Sequence, residues 1–133
     1  MTTPSDTDNQ WRSKWGVVSF QRRRFPRIDV TLPVEYSILE AEKEGARSVV
    51  AQNISMGGLL LILPELQAVP SCLRIRIYIG VRAIDAEVKV AWTELLTGRE
   101  RNEFRCGVHF MNVAEADLNF IKEFIAEYME RNK

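Results

Sequence analysis

Leu73-Arg74-Ile75-Arg76-Ile77-Tyr78-Ile79 is the stretch that indicates the fold most directly. Apolar residues occupy every second position, which is the period of a strand that buries one face. Gly80-Val81-Arg82 then turns the chain, and a second alternating run begins. The inward positions of that run are predicted to be Ile84, Ala86, Val88, Val90 and Trp92. The two runs together predict an antiparallel hairpin.

Further short strands are predicted on both sides of this hairpin. Residues 29–39, 47–53 and 58–63 precede it, and residues 104–110 follow it. Loops are expected at 40–46, 64–70 and 97–99, where glycine, proline and charged residues cluster. Six or seven short, closely spaced strands favour a small antiparallel barrel over a parallel sheet. The fold class is therefore predicted to be mainly β.

The C-terminal part of the chain has a different period. Leu118, Ile121, Ile125 and Tyr128 recur at steps of three and four, as in an amphipathic helix. Asn112 and Glu115 have the spacing of an N-cap and its capping-box partner. We expect this helix to cover one mouth of the barrel.

Length and charge limit the classes of function. The chain has 133 residues, enough for one domain, and its 18 basic and 18 acidic residues cancel. A net charge of zero argues against nucleic acid as the main partner. The longest apolar run, Gly57–Leu63, is far shorter than the roughly 20 residues that span a bilayer. No signal peptide is recognisable, so we expect a cytoplasmic protein.

Residues 1–20 are predicted to form a flexible N-terminal segment, and residues 21–133 the barrel domain with its helix. Trp11, Trp15 and Val18 have helical spacing within the N-terminal segment. That pattern is compatible with a short helix packed on the domain, with a flap that reorders on ligand binding, or with a membrane-surface anchor.

Catalytic and metal chemistry have little support in the sequence. His109 is the only histidine, and Cys72 and Cys106 have no metal-ligand spacing. We expect two buried, reduced thiols and a histidine that faces away from the barrel interior. No acid–base or nucleophile set can be assembled, so the protein is predicted not to be an enzyme and to need no cofactor.

One short segment carries most of the clustered positive charge. Four arginines, Arg22, Arg23, Arg24 and Arg27, fall within six positions just before the first predicted strand. Pro26 disfavours a helix here, so the side chains extend from an irregular lead-in. The planar guanidinium suits phosphate and the O6/N7 edge of guanine. The segment is either a clamp for an anionic ligand or a solvated basic run.

A second polar segment separates two strands, Asn53-Ile54-Ser55-Met56-Gly57-Gly58. Asn53 and Ser55 supply short polar groups, and the paired glycines permit close backbone approach. This combination suits recognition of a base edge, although an ordinary bend between strands uses the same residue types.

The two segments, in this order, resemble the PilZ domain family. The family pattern of Arg-x-x-x-Arg followed by Asp/Asn-x-Ser-x-x-Gly is matched by Arg23–Arg27 and Asn53–Gly58. Pro33-Val34, Val90-Ala91-Trp92 and Phe104–Phe110 are similar to three of the family's strand sequences. The resemblance covers about residues 21–128.

The resemblance implies a six-stranded barrel that binds cyclic di-GMP, a bacterial second messenger of motility and biofilm formation. It implies that Arg23 and Arg27 contact phosphate and guanine, and that Asn53 and Ser55 meet a guanine edge or phosphate. Gly57 and Gly58 would then lie beside the ligand, with Gly58 leaving room for it. Which of the four arginines contact ligand stays open, as does the number of bound molecules, on which Arg22 could act.

The expected role is that of a receptor whose N-terminal segment changes conformation on ligand binding and signals to an unidentified protein effector. Two alternatives stay open. The chain could be a protein-interaction module that does not use the ligand, or a nucleic-acid-binding barrel that uses the basic segment.

Overall fold

A computed structural model describes residues 25–38, 46–98 and 100–132, and these residues form six strands and one helix. The strands are β1 (Ile28–Ile38), β2 (Arg47–Ile54), β3 (Gly58–Leu63), β4 (Ser71–Ile79), β5 (Arg82–Leu96) and β6 (Glu103–Val113). The helix α1 spans Glu115–Arg131. The predictions made for residues 1–20, for Arg22, Arg23 and Arg24 and for most of the 40–46 loop lie outside the described residues.

The six strands close into an antiparallel barrel in the order β1-β2-β3-β6-β5-β4. Pairing of β1 with β4, in register from Val34 opposite Ile77 to Ile38 opposite Leu73, completes the ring. The alternating apolar residues of β4 face the barrel interior, where Leu73, Ile75, Ile77 and Ile79 are all buried. The predicted mainly β fold, a small six-stranded barrel with a C-terminal helix, is confirmed.

The register of the described strands shifts at four places, and two of these are β-bulges that set the orientation of Asn53 and Trp92. Ala51 pairs with Leu61 but Asn53 pairs with Leu60, so Gln52 is an extra residue in β2. Val90 pairs with Val108 but Trp92 pairs with Gly107, so Ala91 is an extra residue in β5. A bulge shifts the following residue to the opposite face of the sheet. Asn53 and Trp92 therefore face the outside of the barrel.

The position of Trp92 corrects the sequence prediction. Period-two counting from Val88 and Val90 places Trp92 on the inward face, and this prediction is wrong because the bulge at Ala91 reverses the alternation. Trp92 is 40% exposed, whereas Val88 and Val90 are fully buried.

The helix packs on the end of the barrel where β1 and β5 begin. Ile121 and Ile125 belong to the buried core. The Tyr128 hydroxyl donates to the Asp29 carbonyl oxygen at 2.8 Å, and Arg82 forms an ion pair with Asp117 at 2.9 Å. The expected apolar stripe is thus confirmed. No helix in the described residues is long and apolar enough to cross a membrane.

The predicted capping box is wrong. The N-cap is Ala114, which makes no side-chain capping hydrogen bond. Asn112 instead lies within β6, where it pairs with Glu87. Because the strand runs directly into the helix, Asn112 cannot serve as its cap. Glu115 and Asp117 lie in the first turn, where their negative charges interact favourably with the helix dipole.

The cysteines differ in exposure. Both are free thiols, but only Cys106 is buried. Cys72 precedes the inward residue Leu73 and so lies on the outer face, half-buried, with its sulfur 3.6 Å from that of Met111. The expectation of two buried thiols is therefore wrong for Cys72.

Candidate functional site

One row of paired residues crosses four strands on the outer face of the barrel. Asn53 of β2 lies opposite Leu60 of β3, Leu60 lies opposite Gly107 of β6, and Gly107 lies opposite Trp92 of β5. At about 4.8 Å per strand, Asn53 and Trp92 are separated by roughly 14 Å. The row consists of two side walls, one polar and one aromatic, with a small apolar floor between them.

A groove of about 250 Å³ lies over this row. It reaches Arg27 at the lead-in to β1 and His109 in β6. The residues that line it are Arg27, Asn53, Ser55, Gly57, Gly58, Leu59, Leu60, Trp92, Gly107, Val108 and His109. Among these described lining residues there is a permanent cation and a histidine but no carboxylate. Such a surface favours an anionic ligand.

Backbone hydrogen bonds fix the turn between β2 and β3. The Ser55 N–H donates to the Gly58 carbonyl, and the Phe110 N–H donates to the Gly57 carbonyl, both at 2.9 Å. The Gly57 N–H donates to the Ser55 hydroxyl oxygen at 3.0 Å. Because that oxygen acts as acceptor within the turn, the hydroxyl proton remains available for an acceptor on a ligand.

Two glycines of the groove allow close packing, each for a different reason. A Cβ on Gly58 would overlap the Val108 carbonyl oxygen and lie 2.9 Å from its carbonyl carbon. A Cβ on Gly107 would overlap the Trp92 indole, with Cε2 at 2.5 Å. Gly58 thus permits the approach of two backbones, and Gly107 permits an indole to lie flat on the strand.

The structure brings together five of the site residues that were predicted from the sequence. Arg27, Asn53, Ser55, Gly57 and Gly58 come together in this one groove. Arg27 is exposed, Asn53 and the two glycines are buried, and Ser55 is half-buried. The space that Gly58 leaves free is occupied by β6, so a side chain there would meet backbone before it could meet a ligand. Arg22, Arg23 and Arg24 lie outside the described residues, so their participation stays a prediction.

Six of the described lining residues were not predicted as site residues, and Trp92, Gly107 and His109 are three of them. Trp92 and Gly107 were noted only as parts of strand motifs, and His109 only as a residue that faces outward. Gly107 and His109 alternate with buried Val108, and this alternation is visible in the sequence. The outward turn of Trp92 is not, since it depends on the bulge at Ala91.

Other charged residues of the outer face pair with one another. Arg76 donates two hydrogen bonds to Asp85, at 2.7 and 3.2 Å, and this contact lowers the pKa of the Asp85 carboxyl. A shallower cavity of about 220 Å³ beside them is lined by both acids and a base, Arg74, Asp85 and Glu87. Mixed charge indicates a solvated surface rather than a second anion site.

Metal binding finds no support in the part of the chain that the structure describes. No three histidine, cysteine or carboxylate side chains come together there. The arrangement offers instead a fixed turn with polar groups, an indole face and an arginine, which are groups that bind a planar anionic ligand.

Comparison with solved structures shows the fold of related domains. The Bacillus subtilis inhibitor of motility, MotI/DgrA, superposes with a TM-score of 0.72 at 20% identity over 85% of this chain and 54% of that one. The PilZ domain of Escherichia coli YcgR, solved with c-di-GMP, gives 0.63 at 14% identity over 84% and 95%. The K. pneumonia MrkH–c-di-GMP complex gives 0.66 at 16% identity over 85% and 56%.

The chain therefore spans about half the length of MotI and of MrkH and nearly the whole of the YcgR domain. No curated protein matches the sequence significantly. The family model described as "PilZ domain" matches residues 21–127, which include every described strand and most of the helix. The chain belongs to the PilZ domain family.

Proposed function

We propose that this chain is a cyclic di-GMP receptor, with the ligand bound in the groove between Arg27, Asn53 and Trp92. The proposal is carried by one observation: Arg27 of the first motif lines the same groove as Asn53 and Ser55 of the second, and no carboxylate is among the described lining residues. Two of the structurally similar proteins, the YcgR domain and MrkH, were solved with this ligand. In this proposal the protein is a binding module and not an enzyme.

Each wall of the groove suits one part of the ligand. Cyclic di-GMP combines phosphodiester anions with guanine bases. Arg27 donates to phosphate oxygens or to guanine O6 and N7. Ser55 and Asn53 offer a hydroxyl and an amide to a base edge, and the Trp92 indole offers a face for stacking.

The size of the groove argues for a contribution from the segment before Phe25. Pockets that bury a drug-sized ligand measure roughly 300–1,000 Å³. The described groove, at about 250 Å³, falls below that range. We propose that Arg22, Arg23 and Arg24 complete the site over the ligand.

An estimate of the binding energy also indicates that the arginines need further contacts beside them. A charge-assisted hydrogen bond contributes roughly 1.5–3 kcal/mol net. Micromolar affinity corresponds to about 8 kcal/mol after the cost of association. Two arginines that make one such bond each contribute roughly 3–6 kcal/mol, so we propose that base contacts of β2, the β2–β3 turn and β5 supply the remainder.

Signalling is assigned to residues 1–20, outside the described residues. We propose that ligand phosphates neutralise the basic run and change the conformation of this segment, which presents a new surface to a cytoplasmic protein effector. Trp92→Phe removes the groove tryptophan and leaves Trp11 and Trp15 as reporters. A change in the remaining tryptophan emission on saturation is expected, and an unchanged emission would argue against the switch.

Thermal unfolding in the presence of three nucleotides tests the ligand assignment. A ligand present at 100 times its Kd stabilises the folded state by about 2.7 kcal/mol. Cyclic di-GMP is expected to raise the melting temperature by several degrees, and cyclic di-AMP and GTP by much less. Equal shifts from all three would contradict guanine dinucleotide recognition.

The two alternatives predict different results. A nucleic-acid-binding barrel would bind single strands with a steep salt dependence and show little preference for the cyclic dinucleotide. An interaction module with an unused groove would bind no nucleotide, and Arg27→Gln would then leave every ligand response unchanged.

A further inference from the structure

His109 occupies a position in the groove that the two sequence motifs do not cover. It lies directly opposite Gly58 in the β3–β6 pairing, and on the other side it lies opposite Lys89 of β5. Its neighbours Val108 and Phe110 are buried, so the half-buried imidazole is on the outer face. His109 and the residues Ser55 and Gly57 of the β2–β3 turn line the same groove.

Two cations, Arg27 and Lys89, are among the described residues near His109. Arg27 lines the same groove, and Lys89 lies opposite His109 in register, with Cys72 of β4 beyond it. Among the carboxylates, Asp29 of β1 is opposite Asn53 and outside the groove lining, and Glu94 of β5 is bound to Arg105. Neither of these carboxylates lines the groove, and an anionic ligand bound there would favour the protonated imidazole.

We propose that His109 is a further contact of the groove's anionic ligand and that its protonation couples ligand affinity to pH. The inference rests on the proposed function, since it concerns the same groove. Histidine is the side chain whose charge normally changes between pH 5 and 8. The protonated imidazole donates from both nitrogens, whereas the neutral ring donates from one. Phosphate oxygens and guanine O6 and N7 are all acceptors, so the ligand selects the protonated form.

The direction of the pH dependence follows from the ligand's preference for the protonated form of His109. Binding takes up a fraction of a proton, so affinity rises as the pH falls through the titration range of His109. If the ligand raises the titration midpoint by one pH unit, the affinity at low pH is about tenfold higher than at high pH. The arginines keep their charge throughout this range and contribute no such dependence.

The test is a calorimetric titration with cyclic di-GMP at pH 5.5 and pH 8.0, for the wild-type chain and His109→Gln. The wild type is expected to bind about tenfold more tightly at pH 5.5. His109→Gln keeps a polar side chain of similar length but does not titrate, and it is expected to bind equally at both pH values. His109→Arg, a permanent cation, is expected to retain the tighter affinity at both.

A second measurement requires no variant. Since His109 is the only histidine, the two imidazole C–H signals in a ¹H–¹³C NMR spectrum, from Cδ2 and Cε1, both belong to it. Its titration midpoint is expected to rise when the ligand is saturating. Binding with the same affinity at both pH values, an unmoved midpoint, or a pH dependence that persists in His109→Gln would overturn the inference and leave the receptor function intact. Absence of binding at both pH values would instead overturn the receptor function, and the inference with it.

Discussion

Asn53 and Trp92 belong to strands that are not neighbours, yet they lie in one row across the outer face of the barrel, joined through Leu60 and Gly107. Each follows a β-bulge, at Gln52 and at Ala91, that turns it from the interior to the exterior. Without these bulges, both would lie on the inward face. The barrel thus obtains the two side walls of its groove from two local departures from strand regularity.

Removal of the aromatic wall tests whether Trp92 stacks on a base. Stacking of a base on an aromatic side chain contributes roughly 1–3 kcal/mol. Trp92→Ala is therefore expected to weaken cyclic di-GMP binding by about 5- to 150-fold, and Trp92→Phe by much less. The control is Leu95→Ala, which removes a side chain that is 52% exposed on the same strand and outside the groove. An equal loss in the control would contradict a specific role for the indole.

Removal of single polar groups tests the other wall. Arg27→Gln, Ser55→Ala and, in the basic segment, Arg23→Ala are each expected to reduce affinity more than tenfold, because each removes a hydrogen bond to an anionic or polar acceptor. Arg76→Gln makes the same charge change as Arg27→Gln at an exposed ion pair outside the groove. It is expected to leave affinity unchanged. Titration of each variant by calorimetry, with circular dichroism to verify folding, measures these effects.

Alanine substitution is expected to affect mainly stability at one groove glycine and mainly ligand binding at the other. A methyl at Gly58 meets the backbone of β6, so Gly58→Ala is expected to destabilise the barrel by about 3 kcal/mol, as overpacking does. The three atoms nearest to a methyl at Gly107 all belong to the Trp92 side chain, so Gly107→Ala is expected to displace the indole and weaken ligand binding more than stability. Urea unfolding and ligand titration of both variants measure the difference. Similar unfolding midpoints for the two variants would contradict the different packing roles assigned to Gly58 and Gly107.

The cysteines provide a test of the barrel interior. Burial raises the pKa of the Cys106 thiol to about 11, so almost none of it is the reactive thiolate at neutral pH. Cys72 is half-buried on the outer face. A chromogenic disulfide reagent at pH 8 is expected to modify one thiol rapidly in the folded chain and two in urea. Cys72→Ser should remove the rapid reaction, and rapid modification that persists in this variant would contradict the burial of Cys106.

Periodicity was sufficient to predict most of the fold. The alternation in β4 identifies its buried face, and the three- and four-residue steps around Ile121 and Ile125 identify the helix. The prediction that Asn112 is the N-cap was wrong because local spacing does not reveal that β6 continues directly into the helix. The predicted inward orientation of Trp92 was wrong because a bulge depends on pairing with another strand. The sequence around Ala91 carries no local signal for a bulge.

The candidate site was predicted in part for the same reason. Arg27 and the Asn53–Gly58 turn are recognisable as short motifs, because each is contiguous in sequence. Gly107 and His109 join them only through the β3–β6 pairing, which brings Gly58 opposite a residue 51 positions later in the chain. Such a contact needs the closed barrel and cannot be deduced from local patterns.

The most direct test of the central claim is a calorimetric titration of the wild-type chain with cyclic di-GMP at neutral pH and moderate salt. The receptor proposal predicts a saturable heat with a Kd in the micromolar range or below, and a much weaker response to cyclic di-AMP and GTP. No heat from cyclic di-GMP up to high micromolar concentration would contradict it.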